Sequence, residues 1–369
     1  MQRYAFGLIG RFSSSPAFTT RGLIAMSGLA AGIAVGPAAA QLTPDRTYYP
    51  INRAAPMRVE IPREVAESGG GEPIIELFTW GATQPGSSAH VVKGGVDLAS
   101  LFPELWTASR PQVQYAQLRV GDKKVGAPVV LQPMVAQPKA QLFNPETRQA
   151  WFVDPKTGQA NYDARKCELS FTSPKASYSG VRAYVEQHVV FATSMGDIEF
   201  RMRPDQAPNT VNNLLDLVKG GFFQEILVHR IVPKLPTSGH PFVIQFGDPT
   251  GGSDGADGGP GFSIDLENTK LPHDFGVLSM ARDDDPDTNG SQVFICLSRE
   301  GTARLDGKYC AFAQAVSGAE VILEMGKVKT DEKTQRPLDP PVVHSAKLVP
   351  APPFGTGPAP VKRGEDMGR

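Results

Sequence analysis

Cysteine is scarce: three residues in 369, Cys167, Cys296 and Cys310, cannot frame a fold with disulfides. They read as buried thiols, with a Cys296–Cys310 bridge as the lesser alternative. Excess charge is missing as well. With 37 basic and 38 acidic side chains and a net charge of -1, no field exists to hold a phosphate backbone, so nucleic acid is not an expected partner. An apolar stretch at residues 23–40 is interrupted by glycine and contains Pro37, and it falls short of the roughly 20 apolar residues a helical span needs. The six histidines show no His-Glu-x-x-His or comparable spacing, so no metal is expected. Tryptophan occurs three times, at Trp80, Trp106 and Trp151, where core packing is expected ahead of a binding surface.

Glycine and proline are plentiful, at 38 and 33 residues, which implies many turns and favours β-rich architecture. Hydrophobic residues at 40% and charged residues at 20% are those of a soluble globular protein, and the length suits two cores. The first forty residues read as an address. Arg3, Arg11 and Arg21 precede the apolar stretch, and Ala38, Ala39 and Ala40 stand before Gln41. The expectation is a Sec-type signal peptide cleaved after Ala40, an uncleaved anchor being the alternative. The mature chain is then secreted or periplasmic, with no membrane span, and monomeric.

Residues 41–180 alternate strand-like runs at 57–61, 74–79, 113–120, 129–131 and 167–172 with glycine-rich turns, the pattern of a small sandwich or open barrel. Leu98, Leu101, Phe102 and Leu105 share a helical face. No internal repeat and no catalytic constellation stand out. From Val189 the pattern sharpens: two strands flank a turn at residues 194–197, with Ile198, Phe200 and Met202 on one face. Pro208 opens a helix with Val211, Leu214, Leu215 and Val218 inward, ended by Gly220 and Gly221. Ser317 and Glu320 have the spacing of a capping box before a second helix. Residues 342–349 read as a closing strand, and 351–369 as a flexible tail.

The segment VHRIVPKLPTSGHPFVIQFGDPTGGSDGADGGPG, then GVLSMARDDDPDTNGSQVFICLS and RLDGKYCAFAQAVSG, resembles the cyclophilin family of peptidyl-prolyl cis/trans isomerases. The likeness covers residues 187–350. It implies a mainly β fold, an eight-stranded antiparallel barrel capped by two helices, preceded by the smaller β-rich domain. Carried over by position, Arg230 matches the catalytic arginine. Phe242, Val243, Phe294 and Leu305 match the pocket for the proline ring, and Gln245 and Gln292 match polar residues beside the groove. Ala281 and Arg282 match the backbone edge that a peptide lies along. Tyr309 stands where a histidine is frequent, and Arg304 where many eukaryotic members carry tryptophan, a change expected to weaken cyclosporin-type binding more than turnover. Residues 234–241 replace a single glycine, and Phe246 replaces another, so a reshaped rim and crowding near Gln245 are expected.

These residue types suit the chemistry. Resonance holds an X-Pro imide planar behind a barrier of roughly 18–20 kcal/mol, and no covalent bond has to change, so no cofactor is expected. The twisted state has a more basic proline nitrogen and a differently solvated carbonyl, which a fixed guanidinium can favour over either planar state. A thousandfold acceleration asks for about 4 kcal/mol. Taken alone, Arg230 reads as a surface arginine paired with a carboxylate such as Glu225, and the apolar trio as core; the ordered motif blocks around them are what turn the reading. The implied partners are proline-containing polypeptides. Asp285, Asp287, Asn289 and Gly290 mimic half of an EF-hand loop, but the twelfth position is Cys296 where a bidentate Glu is required.

Overall fold

Alternating burial, with every second side chain driven out of water, builds both halves of this chain. The computed structural model describes residues 41–364, apart from 63–64, 66–70, 108–110, 174–176 and 253–257. The leader expected over residues 1–40 lies outside the described residues.

The first half contains β1 (Gln41–Pro44), β2 (Tyr48–Pro50), β3 (Pro56–Glu60), β4 (Pro73–Thr79), β5 (Ser87–His90) and β6 (Gly94–Asp97). Two short helices follow, α1 (Leu98–Leu101) and α2 (Glu104–Thr107), separated at Pro103 within the expected helical patch. Then come β7 (Gln114–Val120), β8 (Lys123–Pro133), β9 (Lys139–Phe143), β10 (Glu168–Thr172) and β11 (Gly180–Val185). A three-stranded sheet, β1-β3-β6, and a six-stranded sheet, β2-β11-β8-β7-β4-β5, enclose one core that includes Leu42, Met57, Ile75, Leu118, Val129 and Val181. This is a sandwich. Its sheet runs on to Val185, past the boundary expected near residue 180.

Between β9 and β10 the structure corrects the sequence reading on one point: a repeat is present. Residues 144–150 and 154–160 make the same turn, closed by Arg148 N–H to Asn144 O and by Gly158 N–H to Asp154 O, both at 2.8 Å. Arg148 and Gly158 take left-handed φ of 60° and 66°. The shared Pro, Thr, Gln and Ala were too few in a ten-residue period to register as a repeat. The tryptophans are half-buried: Trp106 packs against the sandwich core and Trp80 against the Phe78–Tyr115 cluster, under the Arg203 guanidinium at 4.0 Å, while Trp151 donates its ring N–H to Tyr162 O at 2.9 Å.

The second half contains β12 (Gln187–Thr193), β13 (Gly196–Met202), α3 (Pro208–Lys219), β14 (Ile226–Leu227), β15 (Arg230–Ile231), β16 (Val243–Phe246), β17 (Val277–Met280) and β18 (Val293–Cys296). The remaining elements are α4 (Arg299–Thr302), β19 (Ala311–Ser317), α5 (Ala319–Met325) and β20 (Val342–Pro350). One sheet runs β14-β20-β12-β13-β19-β17-β18-β16-β15. Its two outer strands are consecutive in the chain, so β14 and β15 act as one interrupted strand that closes an eight-stranded barrel. The inward set includes Val189, Phe191, Ile198, Phe200, Ile244, Phe246, Leu278 and Ile295, and α3 seats Val211, Leu214, Leu215 and Val218 against it. The second helix is entered differently from the expectation. Gly318 is its N-cap at φ 83°, with no side-chain cap bond, and a Cβ there would meet Asp197 O at 2.5 Å. All three cysteines are free thiols.

The tail expected to be flexible is instead packed as far as Val361, whose N–H donates to Ala315 O at 2.9 Å. Phe354 is buried, stacks on Phe78 at 4.7 Å, and makes backbone bonds to Gln117 Oε1 and Lys124 Nζ. Its proline and glycine content concealed this because one aromatic residue supplies the anchor.

Glu186 joins sandwich, barrel and tail. Its N–H donates to Pro128 O at 2.8 Å and its carbonyl accepts from Ala351 N–H at 3.1 Å. Burial pushes its carboxyl up to about 8 from 4.5, with Arg201 only partly offsetting and Asp205 reinforcing. The folded chain therefore keeps a proton that the unfolded chain sheds, and stability falls as pH rises from 4.5 towards 8. Glu186→Gln removes this dependence: in urea unfolding the variant is expected to match wild type near pH 4.5 and exceed it at pH 8. Parallel curves across that range would contradict the assignment.

Candidate active site

Register decides which residues meet. Arg230 pairs with Gln245, Gln245 with Phe294, and Phe294 with Ser279 across β15, β16, β18 and β17. Cross-strand partners share a face, so these side chains all leave the barrel on its outer side, joined by Val243 and Cys296 two residues away. The intervening Ile231, Ile244, Phe246, Val293 and Ile295 point inward.

Phe246 therefore does not crowd Gln245. It is buried in the barrel and meets Phe191 edge-on at 5.2 Å. Phe242, Val243, Phe294 and Leu305 form an outer apolar cluster with Val232, Leu271 and Val277. Residues 234–241 turn back on themselves, with Leu235 N–H to His240 O at 2.8 Å, and Leu235 leans on the cluster. Arg304 caps Phe242 at 4.8 Å from its ring centre, and Tyr309 meets Phe294 edge-on at 5.8 Å.

The Arg230 guanidinium is held at two points. Nε donates to Gln335 Oε1 at 2.8 Å and Nη1 to Gln245 Oε1 at 3.2 Å. Gln245 Nε2 donates to Gln292 Oε1 at 2.9 Å, and Gln292 Nε2 to Gly258 O at 3.1 Å. Glu225 is engaged elsewhere, by His344 Nδ1 at 3.1 Å, so the surface ion-pair reading of Arg230 fails. Burial lowers the Arg230 pKa, offset by Tyr309 and reinforced by Arg304, yet a guanidinium stays protonated at any physiological pH. Beside it lies a cleft of about 360 Å³ lined by Gln245, Gly258, Ala281, Arg282, Gly290 and Gln292. Arg282 donates to Lys308 O and lies over the Tyr309 ring at 4.7 Å, so its side chain is committed to the rim while its backbone borders the cleft. Of the site residues read from the sequence, Gln245, Ala281, Arg282 and Gln292 line this cleft, Phe242, Val243, Phe294, Leu305 and Tyr309 gather in the apolar cluster, and Arg230 is bonded to Gln245.

Sequence reasoning missed four contributors. His273 is fully buried, stacks near Phe294 with centroids 6.0 Å apart, and links Asp306 Oδ1 to Ser279 Oγ through contacts of 3.0 Å on each ring nitrogen. The order of groups is that of a hydrolytic triad. Ser279 is completely buried, however, so the chain of bonds acts as a buttress beneath Phe294. Asp306 belongs to the LDGK block and offered a signal; Gln335, in an exposed-looking polar turn, offered none. Among the described residues no cluster of three metal-binding side chains occurs, in the acidic run at 283–287 or elsewhere.

The chain matches the family "Cyclophilin type peptidyl-prolyl cis-trans isomerase/CLD" over residues 188–348. It is 39% identical over 163 residues to a peptidyl-prolyl cis-trans isomerase-like protein of Aspergillus fumigatus, covering 44% of this chain and 94% of the relative. The chain belongs to the cyclophilin-type isomerase family. An Arabidopsis thaliana peptidyl-prolyl cis-trans isomerase is 38% identical over 44% of this chain and 90% of its own length. A solved cyclophilin-type isomerase of Cryptosporidium parvum, 31% identical, covers 45% of this chain and 99% of its own, with a TM-score of 0.40. The family match begins at residue 188, after the last sandwich strand has ended at Val185.

Asp306 ties the buttress to pH. Burial raises its pKa, but hydrogen bonds from Arg299 and from the His273 backbone and ring outweigh it and hold the carboxyl at about 2, below the usual 3.8. The depressed pKa stabilises the fold above pH 3.8, and that stability is lost as pH falls towards 2. Asp306→Asn is expected to lower stability at pH 7 and flatten the acid limb of a urea-unfolding series below pH 4. An unchanged acid limb would show that the carboxylate does not carry this dependence.

Proposed function

We propose that this cyclophilin isomerises X-Pro bonds in polypeptides exported beyond the cytoplasmic membrane, where it follows a cleaved leader. The observation that carries the catalytic reading is the double anchoring of the Arg230 guanidinium on the same outer face as Val243 and Phe294. The apolar cluster takes the proline ring by burial, and Ala281 and Arg282 border the edge along which the peptide backbone lies. Rotation is then confined to the segment preceding the imide. As resonance weakens, the proline nitrogen gains a lone pair and the preceding carbonyl turns, and a charged donor set in a partly dry groove stabilises that geometry more than either planar one.

Uncatalysed isomerisation takes tens of seconds or longer, slow enough to limit folding of freshly translocated chains, which is the use such an enzyme has outside the cytoplasm. The Arg/Ala pattern of residues 1–40 supports export. The sandwich, fixed to the barrel by Glu186 and Phe354, is proposed to present clients to the groove.

A second reading, a module that holds proline segments without accelerating them, draws on Leu235 and Arg304, which both cover the apolar cluster. A protease-coupled assay on a short Ala-Pro-Phe peptide separates the two. Arg230→Ala is expected to lower kcat/KM at least about 100-fold, equivalent to about 2.7 kcal/mol, and Arg230→Lys to recover part of it. Equal rates for wild type and Arg230→Ala would remove the guanidinium from the mechanism. A wild type that shifts groove resonances on peptide addition yet turns nothing over would establish the binding module.

Export has its own measurement. N-terminal sequencing of the protein recovered from its native cell is expected to begin at Gln41; an intact Met1 would rule out the cleaved leader.

A further inference from the structure

We infer that Gln335, 105 residues along the chain from Arg230, is a positioning residue of the isomerase site. The inference rests on Arg230 having the role proposed above. A guanidinium carried on a flexible stem keeps its plane only if at least two of its donors are held. Here Gln245 holds Nη1 and Gln335 holds Nε, while Nη2 has no hydrogen-bond partner among the described residues. Releasing Nε would leave a single 3.2 Å bond about which the plane can swing.

The turn bearing Gln335 is built to stay in place without that side chain. Asp331 accepts from the N–H groups of Lys333 and Thr334 and from Thr334 Oγ1, and Gln335 N–H closes the turn on Asp331 O at 2.8 Å. Ile231 N–H donates to Gln335 O at 3.0 Å, bolting the turn to the residue that follows Arg230. Arg336 donates to Gly251 O and Gly252 O, each at 2.8 Å.

The molecule contains its own control. Residues 154–160 make the same turn, with the same Asp carboxylate accepting from the N–H two residues on, and there the left-handed position is Gly158 at φ 66°. Gln335 occupies the matching position at φ 60°, where glycine fits more easily. The turn therefore does not need the side chain, and the contact that uses it is the one to Arg230.

The test follows from that comparison. Gln335→Gly relieves the left-handed residue and removes the Nε acceptor. It is expected to lower kcat on the Ala-Pro-Phe peptide about 10-fold, with KM within about twofold and the thermal midpoint within about 3 °C of wild type. Gln335→Glu keeps an acceptor at the same reach but sets a carboxylate against the guanidinium, so it is expected to recover only part of the loss. In an Arg230→Ala background Gln335→Gly is expected to change the residual rate by less than about twofold, because there is no longer a guanidinium to orient. Wild-type kcat in Gln335→Gly, or the same 10-fold loss without Arg230, would overturn the positioning role while leaving the isomerase intact. A wild type without turnover would overturn the isomerase reading and this inference together.

Discussion

Placing a permanent charge against a hydrocarbon surface is costly in free energy, and this fold meets the cost by fixing the charge with neutral amide carbonyls. Arg230 shares the sheet's outer face with Phe294 and Val243, where a carboxylate partner would neutralise it and free movement would blunt it. Two glutamine oxygens orient the guanidinium and leave its charge uncompensated. The Gln245–Gln292–Gly258 chain and the stitched turn at 331–336 keep those oxygens in place. The arrangement depends on a rigid sheet, since the two acceptors come from segments about ninety residues apart.

The barrel supplies that rigidity through its period of two. Aromatic and aliphatic side chains such as Phe191, Phe200, Phe223 and Phe246 interlock inside, which leaves the alternate positions of β15 to β18 free to carry chemistry outside. Behind Phe294 an Asp–His–Ser series, buried at His273 and Ser279 and reaching the surface at Asp306, supports the ring from below. Polar groups in such a location must be paired, and here the pairing itself becomes the support. The sandwich and tail meet the barrel at a different place, around Glu186, Trp80 and Phe354. The groove and this seam are thus separate features of one compact unit.

Much of the barrel was legible because its signals are local. The hairpin at β12 and β13, the Pro208 helix and the ordered motif blocks each draw on nearby residues, and the groove residues could be carried over by position. The reading failed where a residue's role depends on what approaches it in space. Phe246 looked like an obstruction until its inward register was known, and Ser317 looked like a cap until Gly318 took that place. A tail rich in proline and glycine looked free until Phe354 was found stacked on Phe78. The repeated turn at 144–160 is a backbone identity, held by main-chain bonds that many sequences can make.

By itself, the amino-acid sequence determined the β-rich class, the alternation that gives each strand two faces, and the residue types able to favour a twisted imide. Only the tertiary structure decided which distant groups hold those residues. Whether Arg230 meets Glu225, five residues away, or Gln335, far along the chain, is settled by how the sheet curls and where a remote turn docks. No local periodicity encodes that choice, because it is made by the packing free energy of the whole barrel.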